Sequence, residues 1–115
     1  MRRGDVVWVD LDPSLGSEAN KRRPAVVVSN DGANRTAASL GRGVITIVPV
    51  TGNTNRLYPF QVLLPDGSSG LGQTSKAQAE QIRSVDISRV GDVAGHLPAD
   101  LLDELDAAIR LHLHL

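Results

Sequence analysis

Four short runs rich in β-branched and other apolar residues mark the first 64 residues of the chain: Asp5–Leu11 (D-V-V-W-V-D-L), Pro24–Ser29 (P-A-V-V-V-S), Val44–Val50 (V-I-T-I-V-P-V) and Phe60–Leu64 (F-Q-V-L-L). Each is short for a helix and is set off by turn-forming residues such as Pro, Gly, Asn and Asp, so each reads as a strand. Pro24 suits a strand's first position, where a missing N–H costs least, and the continuous run behind it suits a strand buried on both faces. Pro49 inside the third run predicts an edge strand or a bulge, because it cannot donate to a ladder. Asn30-Asp31-Gly32 predicts a turn, and 33–40 one or two helical turns. Ser68–Gly72 is rich in Gly and Ser and predicts a mobile segment. Glu80–Val85 predicts a strand with a polar face, and Arg89–Val93 a short last one.

From Pro98 the period changes. Leu101, Leu102, Leu105, Ala108, Ile109 and Leu113 fall at helical spacing. Asp100, Asp103, Glu104 and Asp106 lie toward the N-terminal end, where the helix dipole favours acids, and Pro98 suits the first turn. Many short strands and one terminal amphipathic helix predict a mainly β fold with helices: a small, strongly bent barrel capped by that helix. At 115 residues, 1–115 is expected to be a single domain.

Only Trp8, Tyr58 and Phe60 are aromatic, so the core must be mostly Val, Leu, Ile and Ala, with Phe60 expected in it. Without cysteine there is neither a disulfide nor a thiolate zinc site, and a reducing cytoplasm is the expected location. No apolar run approaches the roughly 20 residues of a membrane span. Met1-Arg2-Arg3-Gly4-Asp5 carries an acid where a signal peptide needs an apolar stretch. Net charge is −1 but unevenly spread: residues 1–60 hold seven Arg and one Lys against four Asp and one Glu, and the remainder balances to −4. A charge split of this kind fits one polyanion-facing side, or simply a solvated surface.

Common catalytic sets are missing. His112 and His114, two apart on the helix, point to different sides and cannot clasp one metal. There is no phosphate-binding glycine loop, no G-x-S-x-G and no H-E-x-x-H. What remains is Gly16–Val28 (G-S-E-A-N-K-R-R-P-A-V-V-V), a loop running into a strand, with a carboxylate, an amide and three cations. Pro24 stiffens the backbone at Arg23. Such an Arg can fix a guanidinium against a phosphate, but an Arg at a strand start is more often an ordinary surface residue.

In order along the chain stand R-G-D-V-V-W-V-D-L-D-P, G-S-E-x-x-x-x-R-P-A-V-V-V-S-N, V-P-V-T, Y-P-F-x-V-x-L and A-E-Q-I-R-S-V-D. Together, from Arg3 to about Asp86, they resemble the MazF/PemK family of toxin endoribonucleases. The resemblance implies an SH3-like barrel forming a homodimer, with single-stranded RNA in a groove at the interface. It implies cleavage at a short sequence without metal or other cofactor. The ribose 2′-OH attacks the adjacent phosphate and leaves 2′,3′-cyclic phosphate and 5′-OH ends, which would arrest translation and growth. A MazE-like antitoxin is the implied partner, and no DNA partner is expected for the toxin alone. The family's catalytic arginine and threonine fall on Arg23 and Thr51, with Ser17, Glu18 and Glu80 in support. Arg23 is a poor base, since arginine holds its proton at ordinary pH; Glu18 or Glu80 would serve only if its surroundings tune it. Asn20, Lys21, Arg22, Asn53, Asn55 and Arg56, in two loops, and Gln81 are the expected RNA contacts, since single strands are read through splayed bases. Two other readings stay open: a related toxin group uses the same barrel against DNA gyrase, and a plain SH3-like binding module would need neither Arg23 nor Thr51.

Overall fold

A computed structural model describes all 115 residues. The strands are β1 (Asp5–Asp10), β2 (Arg22–Val27), β3 (Val44–Thr51), β4 (Gln61–Leu64), β5 (Ser75–Gln78), β6 (Arg83–Asp86) and β7 (Val90–His96). Helix α1 (Asp31–Leu40) follows β2, and α2 (Ala99–Leu113) closes the chain. All pairings are antiparallel, in the order β4-β5-β3-β2-β1-β7, with β6 also on β3.

Side-chain alternation divides the long apolar runs between two cores. Val6, Val26, Val48 and Val50 face one cluster, covered by Leu105 and Ala108 of α2. Val7, Val9, Ala25, Val27, Ile45 and Ile47 face the other, with Ala37 of α1 and Val85. Ala25, Val26 and Val27 are wholly buried, as the unbroken run in β2 predicts. Each buried Val contributes about 1.5–3 kcal/mol.

Several expectations are corrected. Pro49 lies neither on an edge nor at a bulge: it is buried in β3, opposite Ala25. On its other side β3 changes partner, Val44–Ile47 pairing with β6 and Val50–Thr51 with β5. Val48 and Pro49 fall in the gap between these two ladders, and the gap accommodates a residue without an N–H. Helix α1 is ten residues long rather than one or two turns. Its apolar residues are mostly alanines, of which Ala37 is buried, and its ends are set by caps: Asn30 Oδ1 accepts from the Ala33 N–H, and Gly41, at φ 65°, donates its N–H to the Ala37 carbonyl.

Ser68–Gly72 is not a free segment. Ser69 is buried, and Gly70 packs so closely on β7 that an added Cβ would stand 2.3 Å from the Ala94 carbonyl oxygen. Phe60 belongs to neither core cluster: it is half-exposed, stacked on Tyr58 with ring centroids 5.5 Å apart and 6.0 Å from the His112 ring of α2. Leu113 is exposed on the last turn of α2, beyond the sheet that the helix covers. Glu80 and Gln81 lie in a 3-10 turn (Ala79–Gln81), so the strand expected over Glu80–Val85 begins only at Arg83, in β6. The N-terminus is tied to α2 through Arg3, whose Nε donates to the Val28 carbonyl at 2.8 Å and whose Nη2 meets Asp106 Oδ1 at 2.6 Å. At the end of β6, the Ser88 hydroxyl and N–H hold the Asp86 carboxyl below its ordinary pKa, with Arg89 adding to the effect.

Candidate functional site

The β2–β3 ladder pairs Val27 with Ile47 and Ala25 with Pro49. Carried two residues further, the same register brings Arg23 opposite Thr51. Opposed residues of an antiparallel pair share a face. Arg23 also pairs with Val9 across β1, and Thr51 with Lys76 across β5. A transverse row, Val9–Arg23–Thr51–Lys76, therefore crosses four strands on one face of the sheet.

Arg23 is half-buried and held along one edge by its own loop: Nε donates to the Asn20 carbonyl at 2.9 Å and Nη2 to Asn20 Oδ1 at 3.2 Å. It takes part in no salt bridge; those in the molecule are Arg2–Asp5, Arg3–Asp106 and His96–Asp5. A guanidinium has five N–H donors, so most of its fork is left for an incoming anion. Thr51 Oγ1 accepts from the Asn53 N–H at 3.3 Å, which leaves the hydroxyl hydrogen to donate elsewhere.

Two loops flank the row, and adjacent residues of one 3-10 turn anchor both. Gln81 reaches the loop between β1 and β2: its Oε1 accepts from the Ala19 N–H at 3.0 Å and its Nε2 donates to the Ser17 carbonyl at 2.9 Å. Glu80 accepts from Gln61 Nε2 with both oxygens, at 2.8 and 3.0 Å. Gln61 in turn accepts from the Tyr58 N–H, fixing the end of the loop between β3 and β4. Gln81, expected on RNA, thus has both ends of its amide committed to protein. Removing it leaves Ser17 and Ala19 backbone groups unpartnered and loosens the loop that holds Arg23. Gln81→Ala is expected to lower Tm by only a few degrees, at about 1 kcal/mol per hydrogen bond. On the RNA cleavage that the sequence resemblance implies, it is expected to lower turnover by about tenfold to a hundredfold, through misplacement.

The remaining candidates divide. Ser17 and Glu18 are exposed at the loop rim, Glu18 Oε1 accepting from the Leu15 N–H. Lys21 is exposed, with its backbone in the left-handed region at φ 63° and its N–H donated to Asp12 Oδ1. Asn53, Asn55 and Arg56 are exposed on the second loop. Arg22 does not join Arg23: strand alternation turns it to the opposite face, where it lies 5.0 Å from the Trp8 ring centroid. Lys76 was not legible as a site residue. Its signal is a single charge in an otherwise uncharged strand, S-K-A-Q. No three His, Asp or Glu side chains are grouped so that they could hold a metal ion, and no helix is long and apolar enough to cross a membrane.

A bent antiparallel sheet closed by a terminal helix is the fold the sequence motifs anticipate. Residues 2–113 match the model of the PemK-like, MazF-like toxin family of type II toxin–antitoxin systems. The chain is 59% identical over 115 residues to endoribonuclease MazF9 of Mycobacterium tuberculosis, covering all of this chain and 98% of that protein. MazF from Deinococcus radiodurans superposes with a TM-score of 0.82 at 31% identity, covering all of this chain and 97% of the other. A MazE–MazF structure from the same organism gives 0.74 at 27% identity, covering 100% and 96%. The chain belongs to the MazF/PemK family of type II toxins.

Proposed function

We propose that the protein is a cytoplasmic endoribonuclease that cuts single-stranded RNA at a short sequence without a metal ion. The observation that carries this reading is Arg23: a guanidinium without a carboxylate partner, fixed along one edge by Asn20, on the strand that pairs with the one ending in Thr51. In-line attack by a ribose 2′-oxygen on the adjacent phosphorus forms the new P–O bond and breaks the bond to the 5′-oxygen. Negative charge grows on the non-bridging oxygens, where the Arg23 fork stabilises it. Thr51 donates to a phosphoryl oxygen or the departing 5′-oxygen. Glu80 has both oxygens on Gln61, whereas Glu18 keeps one oxygen without a protein partner, so Glu18 is the better placed of the two to receive the 2′-OH proton. Asn53, Asn55, Arg56 and Lys21 read bases or phosphates from the two loops, while Asn20 and Gln81 hold the first loop in shape. The family resemblance implies that the toxin works as a homodimer, and the MazE–MazF structure of a relative supports a MazE-like antitoxin as its partner.

The test is cleavage of long single-stranded RNA by purified protein in excess EDTA, with end-group analysis. Cuts at a recurring short motif, ending in 2′,3′-cyclic phosphate and 5′-OH, are expected. A folded wild-type protein that cuts none of several RNAs overturns the proposal, and cutting that requires added metal overturns its metal-free chemistry.

A further inference from the structure

Lys76 of β5 is only 8% exposed, yet no carboxylate pairs with it. Its Nζ donates to the Arg56 carbonyl at 2.7 Å and lies 5.9 Å from the Tyr58 ring centroid. An ammonium has three N–H donors, and this one spends a single donor on the protein. Burying a cation without a counter-ion is costly, so such a group is retained where an anion arrives to meet it. The sheet says where that anion would come from. Lys76 pairs directly with Thr51, and the β2–β3 register, continued two residues past its last pair Ala25–Pro49, puts Arg23 on the same face. With strands about 4.8 Å apart, Arg23 and Lys76 stand roughly 10 Å from each other at the backbone, with Thr51 between them.

We infer that Lys76 is a substrate-binding residue that takes a backbone phosphate of the RNA neighbouring the phosphate held by Arg23. The assignment rests on the endoribonuclease reading above. It gives the site a second fixed cation, which sets the strand's direction across Thr51. Because the same Nζ holds the Arg56 carbonyl, phosphate binding and the base-reading loop meet at one atom.

The measurement is the salt dependence of binding to a 2′-O-methylated copy of an RNA that wild type cuts, for wild type, Lys76→Met and Lys76→Arg. Neutralising one single-strand phosphate contributes about 0.7 to the slope of log K against log salt. Lys76→Met is expected to flatten the slope by about that amount and to weaken binding about tenfold, the size of one charge-assisted hydrogen bond. Lys76→Arg is expected to restore the slope. A loop-holding role alone would alter affinity or the cut motif and leave the slope unchanged, which would overturn the assignment. A second readout needs no variant at this position. The chain has two lysines, Lys21 and Lys76, so selective 13Cε labelling gives two signals, told apart with Lys21→Arg. The Lys76 signal is expected to shift as RNA saturates the protein. Saturation with no shift overturns the assignment while leaving the endoribonuclease reading intact, and a wild type that neither cuts nor binds RNA removes both.

Discussion

Arg23→Ala is expected to lower the cleavage rate by about a hundredfold or more, the usual cost of losing a fixed donor to a developing oxyanion. The effect falls on kcat more than on KM, because the charge it meets is greatest in the transition state. Stability should hardly change: the guanidinium forms no salt bridge, and its protein partners are two oxygens of one residue, Asn20. Arg23→Lys keeps the charge without the bidentate fork, so it is expected to recover only part of the rate. Arg22→Ala is the informative control. It removes the same charge one residue away, but Arg22 lies over Trp8 on the opposite face. Single-turnover kinetics on one oligonucleotide separates the two positions. If Arg22→Ala loses as much rate as Arg23→Ala, bulk positive charge matters more than a directed guanidinium, and the site as described is wrong.

Gly70→Ala is expected to destabilise the fold by about 3 kcal/mol, combining a left-handed backbone penalty with the cost of overpacking. The residue sits at φ 81°, and its Cβ would lie 2.3 Å from the Ala94 oxygen. Across the same contact, a Cβ on Gly95 would lie 2.5 Å from the Ser69 oxygen, so the obstacle on each side is backbone rather than a side chain that can swing away. Gly72→Ala provides the comparison, with a φ of 72° and nothing within 4 Å of the added atom. It is expected to cost only the conformational part, about 1 kcal/mol. Chemical denaturation of both variants measures the difference. Equal losses would show that the 68–72 segment does not bear on β7.

What the sequence determined about this protein was set by local chemistry. β-branched runs between turn residues defined β1 to β4. Helical spacing behind Pro98 defined α2, and the segment from Ser17 through Pro24 marked the loop and strand that carry Arg23. The tertiary structure decided whatever depends on partners far along the chain. Pro49 could be judged only once β3 was seen to change partner between β6 and β5. Arg22 read as an RNA contact beside the catalytic Arg23, until strand pairing put the two on opposite faces. Glu80 and Gln81 read as groups aimed at substrate, and proved to anchor the two loops through contacts 19 and 62 to 64 residues away. Lys76 was invisible as one charge in a small strand, because its meaning lies in the Thr51 it pairs with and the counter-ion it lacks. Spacing along a strand fixes which side chains alternate; the sheet alone fixes which of them meet.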